Sequence, residues 1–205
     1  AAPRSTAAAR SGAVTVPRGV RAAEQTLTDV AYADVSDAQR LDLYLPRRTG
    51  RAVPLVILIH GGAFEEGDKS KRAPQAEALR AKGYAAASLN YRLSGEAAFP
   101  AGVQDVKAAV RWLRANSPRY GIDPTHFAAW GESAGGYLAV MLGVTGGRRT
   151  MFDDAALGNA SVSSAVQVVV DLFGPANLLT MDADAADPGG CRGEAQVHDA
   201  ADSPE

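Results

Sequence analysis

Ser133 lies in Gly131-Glu132-Ser133-Ala134-Gly135-Gly136, between the short apolar run 127–130 and the hydrophobic stretch 137–142. The pattern predicts a strand, a sharp turn bearing a serine, and a helix. A Gly-x-Ser-x-Gly turn in that setting forces the serine into a strained backbone conformation, with glycines at its flanks because side chains there would strike the strand or the helix. The hydroxyl is then lifted clear of the sheet. The free N–H groups at the start of the following helix face the same spot, ready for negative charge developing on a substrate oxygen. These residue types at this spacing suit a nucleophile in acyl transfer. A Gly-rich connection without chemistry is the bland alternative, and the strand and helix patterns on either side favour the nucleophile.

A second segment supplies what such a nucleophile needs. The aliphatic run 53–59 is bounded by Pro54 near its start and by Gly61-Gly62 after its end, and predicts a central strand buried on both faces of a parallel sheet. His60-Gly61-Gly62-Ala63-Phe64 follows it directly. This loop resembles the oxyanion-hole loop of esterases and lipases, where glycines let backbone N–H groups approach a carbonyl oxygen. Gly61 and Gly62 would donate, joined by the N–H of Ala134. His60 leaves the strand ahead of the nucleophile in chain order, so it is expected to position the loop and not to act as a base.

With both segments in place, the chain resembles the α/β-hydrolase superfamily, and within it the hormone-sensitive-lipase-like esterases and the bacterial feruloyl and acetylxylan esterase-like group. The resemblance runs from about Thr28 to Glu205. It includes Arg40-Leu41-Asp42-Leu43-Tyr44-Leu45-Pro46, the His60–Phe64 loop, Gly67-Asp68-Lys69, Asn90-Tyr91-Arg92-Leu93, Phe99-Pro100-Ala101, the stretch Asp105–Leu113, Asp123-Pro124, the Ser133 elbow and Phe173-Gly174-Pro175. The resemblance implies carboxylic ester hydrolysis by a Ser-Asp-His mechanism through an acyl-enzyme. Asp68, Arg92, Asp105 and Glu132 lie near this machinery and are expected to be scaffold residues, since turns and helix starts beside a sheet need caps and ion pairs. A prolyl-type serine peptidase uses a similar elbow, and a non-catalytic binding protein can share the fold. The His-Gly-Gly loop favours the ester reading over the first, and the intact elbow and loop argue against the second.

The elements that must hold these residues are legible from periodicity. Val103, Val106, Val110 and Leu113 recur at spacings of three and four, with Lys107, Arg111 and Arg114 between them, which predicts an amphipathic helix closed by Asn116, Pro118 and Gly121. Residues 74–82 predict an earlier helix stopped by Gly83, and 84–89 the next strand. Residues 165–170 predict a later buried strand, and 28–32 with 41–45 an antiparallel opening hairpin. Strands alternating with helices define an α/β class: an α/β-hydrolase fold with a mostly parallel sheet and helices on both faces.

The triad partners are what the sequence does not supply. In this superfamily the acid and the histidine follow the nucleophile on loops after later strands. After Ser133 the histidine is His198, in a stretch ending Ser203-Pro204-Glu205 that resembles the segment preceding the acid's strand, so it comes too early. Asp171 ends the 165–170 run and is expected to bond locally. His126 precedes its strand and is expected at the surface. The expectation is therefore a chain that stops before the last two strands, with acid and base beyond Glu205. Such a polypeptide would be nearly inactive alone, since losing the base costs a serine protease about 10⁶ in rate. It would also leave 165–170 as an exposed sheet edge.

Composition agrees with one domain over residues 26–205 behind a mobile tail, residues 1–25, rich in Ala, Arg and small polar residues. With 46% hydrophobic residues, 205 residues can bury one substantial core. The net charge of −2 gives no call for nucleic acid. Ten Asp and Glu face only Arg192 in residues 151–205, which reads as an acidic solvated loop centred on 182–187. Cys191 is single, so it defines no disulfide framework. No cluster has metal-ligand spacing, no cofactor is implied, and no membrane-spanning run occurs. The implied partner is a small-molecule ester, with specificity expected from the 94–99 and 151–161 loops. A mature secreted chain and a fragment are both compatible with the N-terminus; oligomeric state has no signature.

Overall fold

The structure is a computed structural model and describes residues 23–180. Its sheet has the order β1-β2-β4-β3-β5-β6. Strands β1 (Gln25–Ala31) and β2 (Arg40–Leu45) form the antiparallel hairpin, and β2 pairs antiparallel with β4 (Ala85–Leu89). From there β4, β3 (Val53–Ile59), β5 (Ile122–Glu132) and β6 (Val168–Leu172) run parallel. The strand leading to the Gly-Gly loop thus lies between two parallel neighbours, and Leu55, Ile57, Leu58 and Ile59 are all within 1% of complete burial.

Strand alternation divides the core into two layers. Leu41, Leu43, Ile57, Ile59 and Leu89 face one side with Val103, Val106, Val110 and Leu113 of α2 (Ala101–Tyr120) and Leu138 and Leu142 of α3 (Ala134–Thr145). Tyr44, Leu58 and Ala86 face the other, with Ala76 of α1 (Ala73–Ala81) and with Trp130 packed against them. Helices on both faces of a mostly parallel sheet match the expected class.

Four details correct the sequence reading. Gln25, assigned to the tail, opens β1; residues 1–22 of that tail lie outside the described region, as do Cys191, His198 and the acidic 182–187 segment. Pro118 does not end α2, which runs to Tyr120 and closes on Gly121 in the left-handed conformation (φ 70°). A proline so near the C-terminus removes only one last-turn N–H, and the turn beyond it already needs a glycine. Lys107 and Arg111 are not on a solvated stripe. Both are buried, because the segment after α3 folds across them: Lys107 Nζ donates to Thr145 O at 3.0 Å and pairs with Asp153 at 3.1 Å, and Arg111 Nη2 donates to Asp154 O at 2.9 Å.

The last correction concerns β6, which starts at Val168 instead of Ala165 and is exposed, as expected of a sheet edge and not of the buried strand its valines suggest. Val168 is 54% exposed, Val170 38% and Leu172 37%, while Val169 packs against the core. The strand has one partner, β5, among the described residues, so its outer edge and outward face meet solvent.

Candidate active site

The end of β5 delivers Ser133 into a turn with φ 50° and ψ −126°, a conformation that non-glycine residues rarely hold. Two backbone bonds hold it there: Ser133 N–H donates to Leu172 O at 2.9 Å, and Ser133 O accepts from Tyr137 N at 3.1 Å. Strand β6 therefore pins the elbow from one side while α3 grows from the other. The flanking glycines are steric requirements. A Cβ on Gly131 would overlap the Gly135 carbonyl, and one on Gly135 would press on the carbonyl oxygens of Ile59 and His60.

Gly61, at the end of β3, lies against the same turn. A Cβ there would be 2.8 Å from Glu132 O and 3.2 Å from Ser133 Cβ. The sheet order makes this contact, since β3 and β5 are neighbours and Ile59 pairs with Gly131. Among the described residues, the amides of Gly61 and Gly62 donate to no backbone acceptor, and Ala134, first in α3, has no intrahelical acceptor for its own. Ser133 and Gly62 are half-buried, while Gly61 and Ala134 are buried.

His60 is held as a structural group. It is 1% exposed, its ring stacks on Tyr91 at 4.5 Å, Nδ1–H donates to Gly61 O at 2.9 Å, and Tyr91 O–H donates to His60 O at 3.0 Å. Burial pushes its imidazole below the usual value. Asp171 Oδ1 accepts from Gly174 N at 2.9 Å, the local strand-end bond expected of it. His126 is 68% exposed and pairs with Asp123 at 2.9 Å, seven residues and so about 23 Å of strand from Ser133.

Asp105 is fully buried and ties three elements together. It accepts from Gln39 Nε2 at 2.7 Å, from Arg92 N at 2.8 Å and from Arg92 Nε and Nη2 at 2.9 and 2.8 Å. Asp68 caps the short turn Lys69–Arg72, accepting from Ser70 N at 2.6 Å, and its Ser70 bonds hold its carboxyl below the usual range. Glu132 pairs with Arg72 at 2.9 Å. The sequence reading named these acids but not Arg72, whose position in a basic Lys-Ser-Lys-Arg run gave no sign of burial. Phe64 meets Tyr137 edge to face at 5.6 Å, and Phe99 of the 94–99 loop meets Phe152 of the 151–161 loop at 5.8 Å. A narrow cleft lined by Phe64, Ser94, Phe99 and Tyr137 opens there. No group of metal-ligating side chains occurs among the described residues, and no described helix is long and apolar enough to cross a membrane.

A parallel sheet, a serine elbow after a central strand and a glycine loop after its neighbour define an α/β-hydrolase fold. The chain belongs to the BD-FAE family, whose family model matches residues 41–201. It is similar to Esterase LipQ of Mycobacterium tuberculosis, 33% identical over 190 residues that cover 87% of this chain and 43% of the relative. It is also similar to Esterase LipC of that organism, 32% identical over 71% of this chain and 36% of the relative. Among solved structures, a truncated carbohydrate esterase from gut microbiota is 34% identical with a TM-score of 0.73, over 82% of this chain and 62% of that one. An inhibited Esterase B from Lactobacillus rhamnosis is 29% identical with a TM-score of 0.65, over 83% and 54%. The chain spans less than half the length of these curated relatives.

Proposed function

We propose that this chain carries the nucleophile and oxyanion cradle of a serine carboxylesterase. The observation that carries the reading is the close approach of Gly61 to Ser133, which supports an oxyanion cradle of loop amides beside the strained serine at the head of α3. The relatives above, all named as esterases, support ester over peptide substrates.

In this reading, Ser133 Oγ attacks the ester carbonyl carbon and gives its proton to a general base. The carbonyl π electrons move to oxygen, where the N–H groups of Gly61, Gly62 and Ala134 hold the oxyanion; collapse expels the alcohol, which takes the proton from the base. Water then releases the acid from the acyl-enzyme by the same steps in reverse order of roles. The base is not among the described residues, where His60 is committed to its loop and His126 is remote. An unassisted Ser133 keeps an alcohol's poor nucleophilicity, so the described residues alone are proposed to be nearly inactive.

Treating the full-length protein with a fluorophosphonate and mapping the adduct by mass spectrometry tests the assignment, alongside hydrolysis of p-nitrophenyl acetate. Adduct at Ser133, with both adduct and hydrolysis lost in Ser133→Ala, is the expected result. Hydrolysis that survives Ser133→Ala would overturn it.

A further inference from the structure

Glu132 immediately precedes Ser133, and its carboxylate is gripped by a buried cation. Arg72 Nη1 stands 2.9 Å from Glu132 Oε2, with the Arg72 side chain 3% exposed and that of Glu132 38% exposed. The guanidinium lies 5.9 Å from the Trp130 ring centroid, on the β5 strand that leads to the elbow. Its Nε and Nη2 are buried and make no hydrogen bond, nor do Trp130 Nε1 and Gln75 Oε1. Leaving buried donors unpaired is costly, and a buried ion pair of this kind contributes little net stability. A scaffold would be served as well by an apolar residue at position 72. The feature that an apolar residue cannot supply is a positive charge against the nucleophile's neighbour.

Among the described residues, no other cation pairs with Glu132. On the same turn Lys69 is engaged by Asp29 and Asp42, and Lys71 by Glu66 at 3.5 Å. Asp68 bonds Ser70, and His60 on the oxyanion loop feels Asp68, Lys71 and Arg72. Asp171, at the end of β6, is bound to Gly174 N.

We infer that Arg72 neutralises the Glu132 carboxylate at the elbow, so that no net negative charge opposes oxyanion formation or raises the proton affinity of the base serving Ser133. Both are positioning residues that act through Ser133 and its base, and the inference rests on the serine-esterase reading. A lone carboxylate there would destabilise the developing oxyanion and hold a proton on the base to higher pH.

The pH dependence of fluorophosphonate attack on Ser133, measured in the full-length protein, separates this role from a merely structural one. Arg72→Gln should move the acidic limb of the rate to higher pH by about half a unit, which is about threefold slower labelling below the limb. Glu132→Gln should move it to lower pH, the double variant should return it to the wild-type position, and Arg72→Lys should leave it in place. Opposite shifts keep the test decisive if one single variant folds poorly. An unmoved limb in the soluble single variants, or a double variant displaced as far as Arg72→Gln, overturns the inference while leaving the labelled serine intact. A wild-type protein whose Ser133 takes no label overturns the serine reading, and the inference with it.

Discussion

Gly61 and Ser133 face each other at the ends of two adjacent strands: a methyl group on Gly61 would stand 3.2 Å from Ser133 Cβ and 2.8 Å from the carbonyl oxygen of Glu132. Residues 72 positions apart in the chain are thereby one atom from collision, and the close approach is possible because Gly61 bears no side chain.

Gly61→Ala is accordingly expected to push the oxyanion loop off the elbow. Loss of one donor costs about 10²–10³ in kcat. Steady-state kinetics on p-nitrophenyl acetate in the full-length protein should show that loss with KM little changed. Gly95→Ala, where nothing lies within 4 Å of the new Cβ, should be neutral; an equal loss there would remove the steric explanation.

The Asp105 network should govern stability more than chemistry. Asp105→Ala leaves Arg92, 14% exposed, without its carboxylate, and Gln39 Nε2 without an acceptor. Removing one partner of a buried pair costs about 3–5 kcal/mol. A urea midpoint within experimental error of wild type would show that the pair contributes nothing.

His60 predicts an acid limit. Burial holds its imidazole below the ordinary value, so as pH falls the unfolded chain takes up the proton first. The contribution is complete above the ordinary imidazole pKa of about 6.5 and is lost as pH drops from there through the folded value. Urea midpoints should decline between pH 7 and pH 5 in the wild type and decline less in His60→Phe. Parallel curves for the two proteins would rule His60 out as the cause.

Strand β6 predicts self-association of the 205-residue polypeptide. Val168, Val170 and Leu172 present an apolar, half-exposed row on a strand that forms the sheet edge among the described residues. Val170→Lys, on that row, should lower light scattering at equal concentration. Unchanged scattering would place the sticky surface elsewhere.

Where the sequence was legible, the signal was local. The elbow could be read because a strand, Gly-x-Ser-x-Gly and a helix leave one backbone path, and the φ of 50° at Ser133 is the strain that spacing foretold. The 53–59 run announced a doubly covered strand by apolarity alone. Lys107 and Arg111 misled for the same reason: helical spacing places them on a flank of α2, but only the return of residues 145–158 over that flank makes the flank interior. In β6 the run of valines alone signalled burial, while the exposed edge that was also expected is what the strand shows, since exposure depends on whether a neighbour lies on each side.

The sequence by itself determined the class of fold, the strained serine and the glycine loop, because each is dictated by side-chain size and periodicity within about ten residues. Tertiary structure alone decided that β3 lies beside β5, so that Gly61 meets Ser133, and that Arg72 sinks beneath Trp130 to hold Glu132. Those contacts arise from strand order and helix packing, and a cation's burial depends on what folds over it, which no nearby residue specifies.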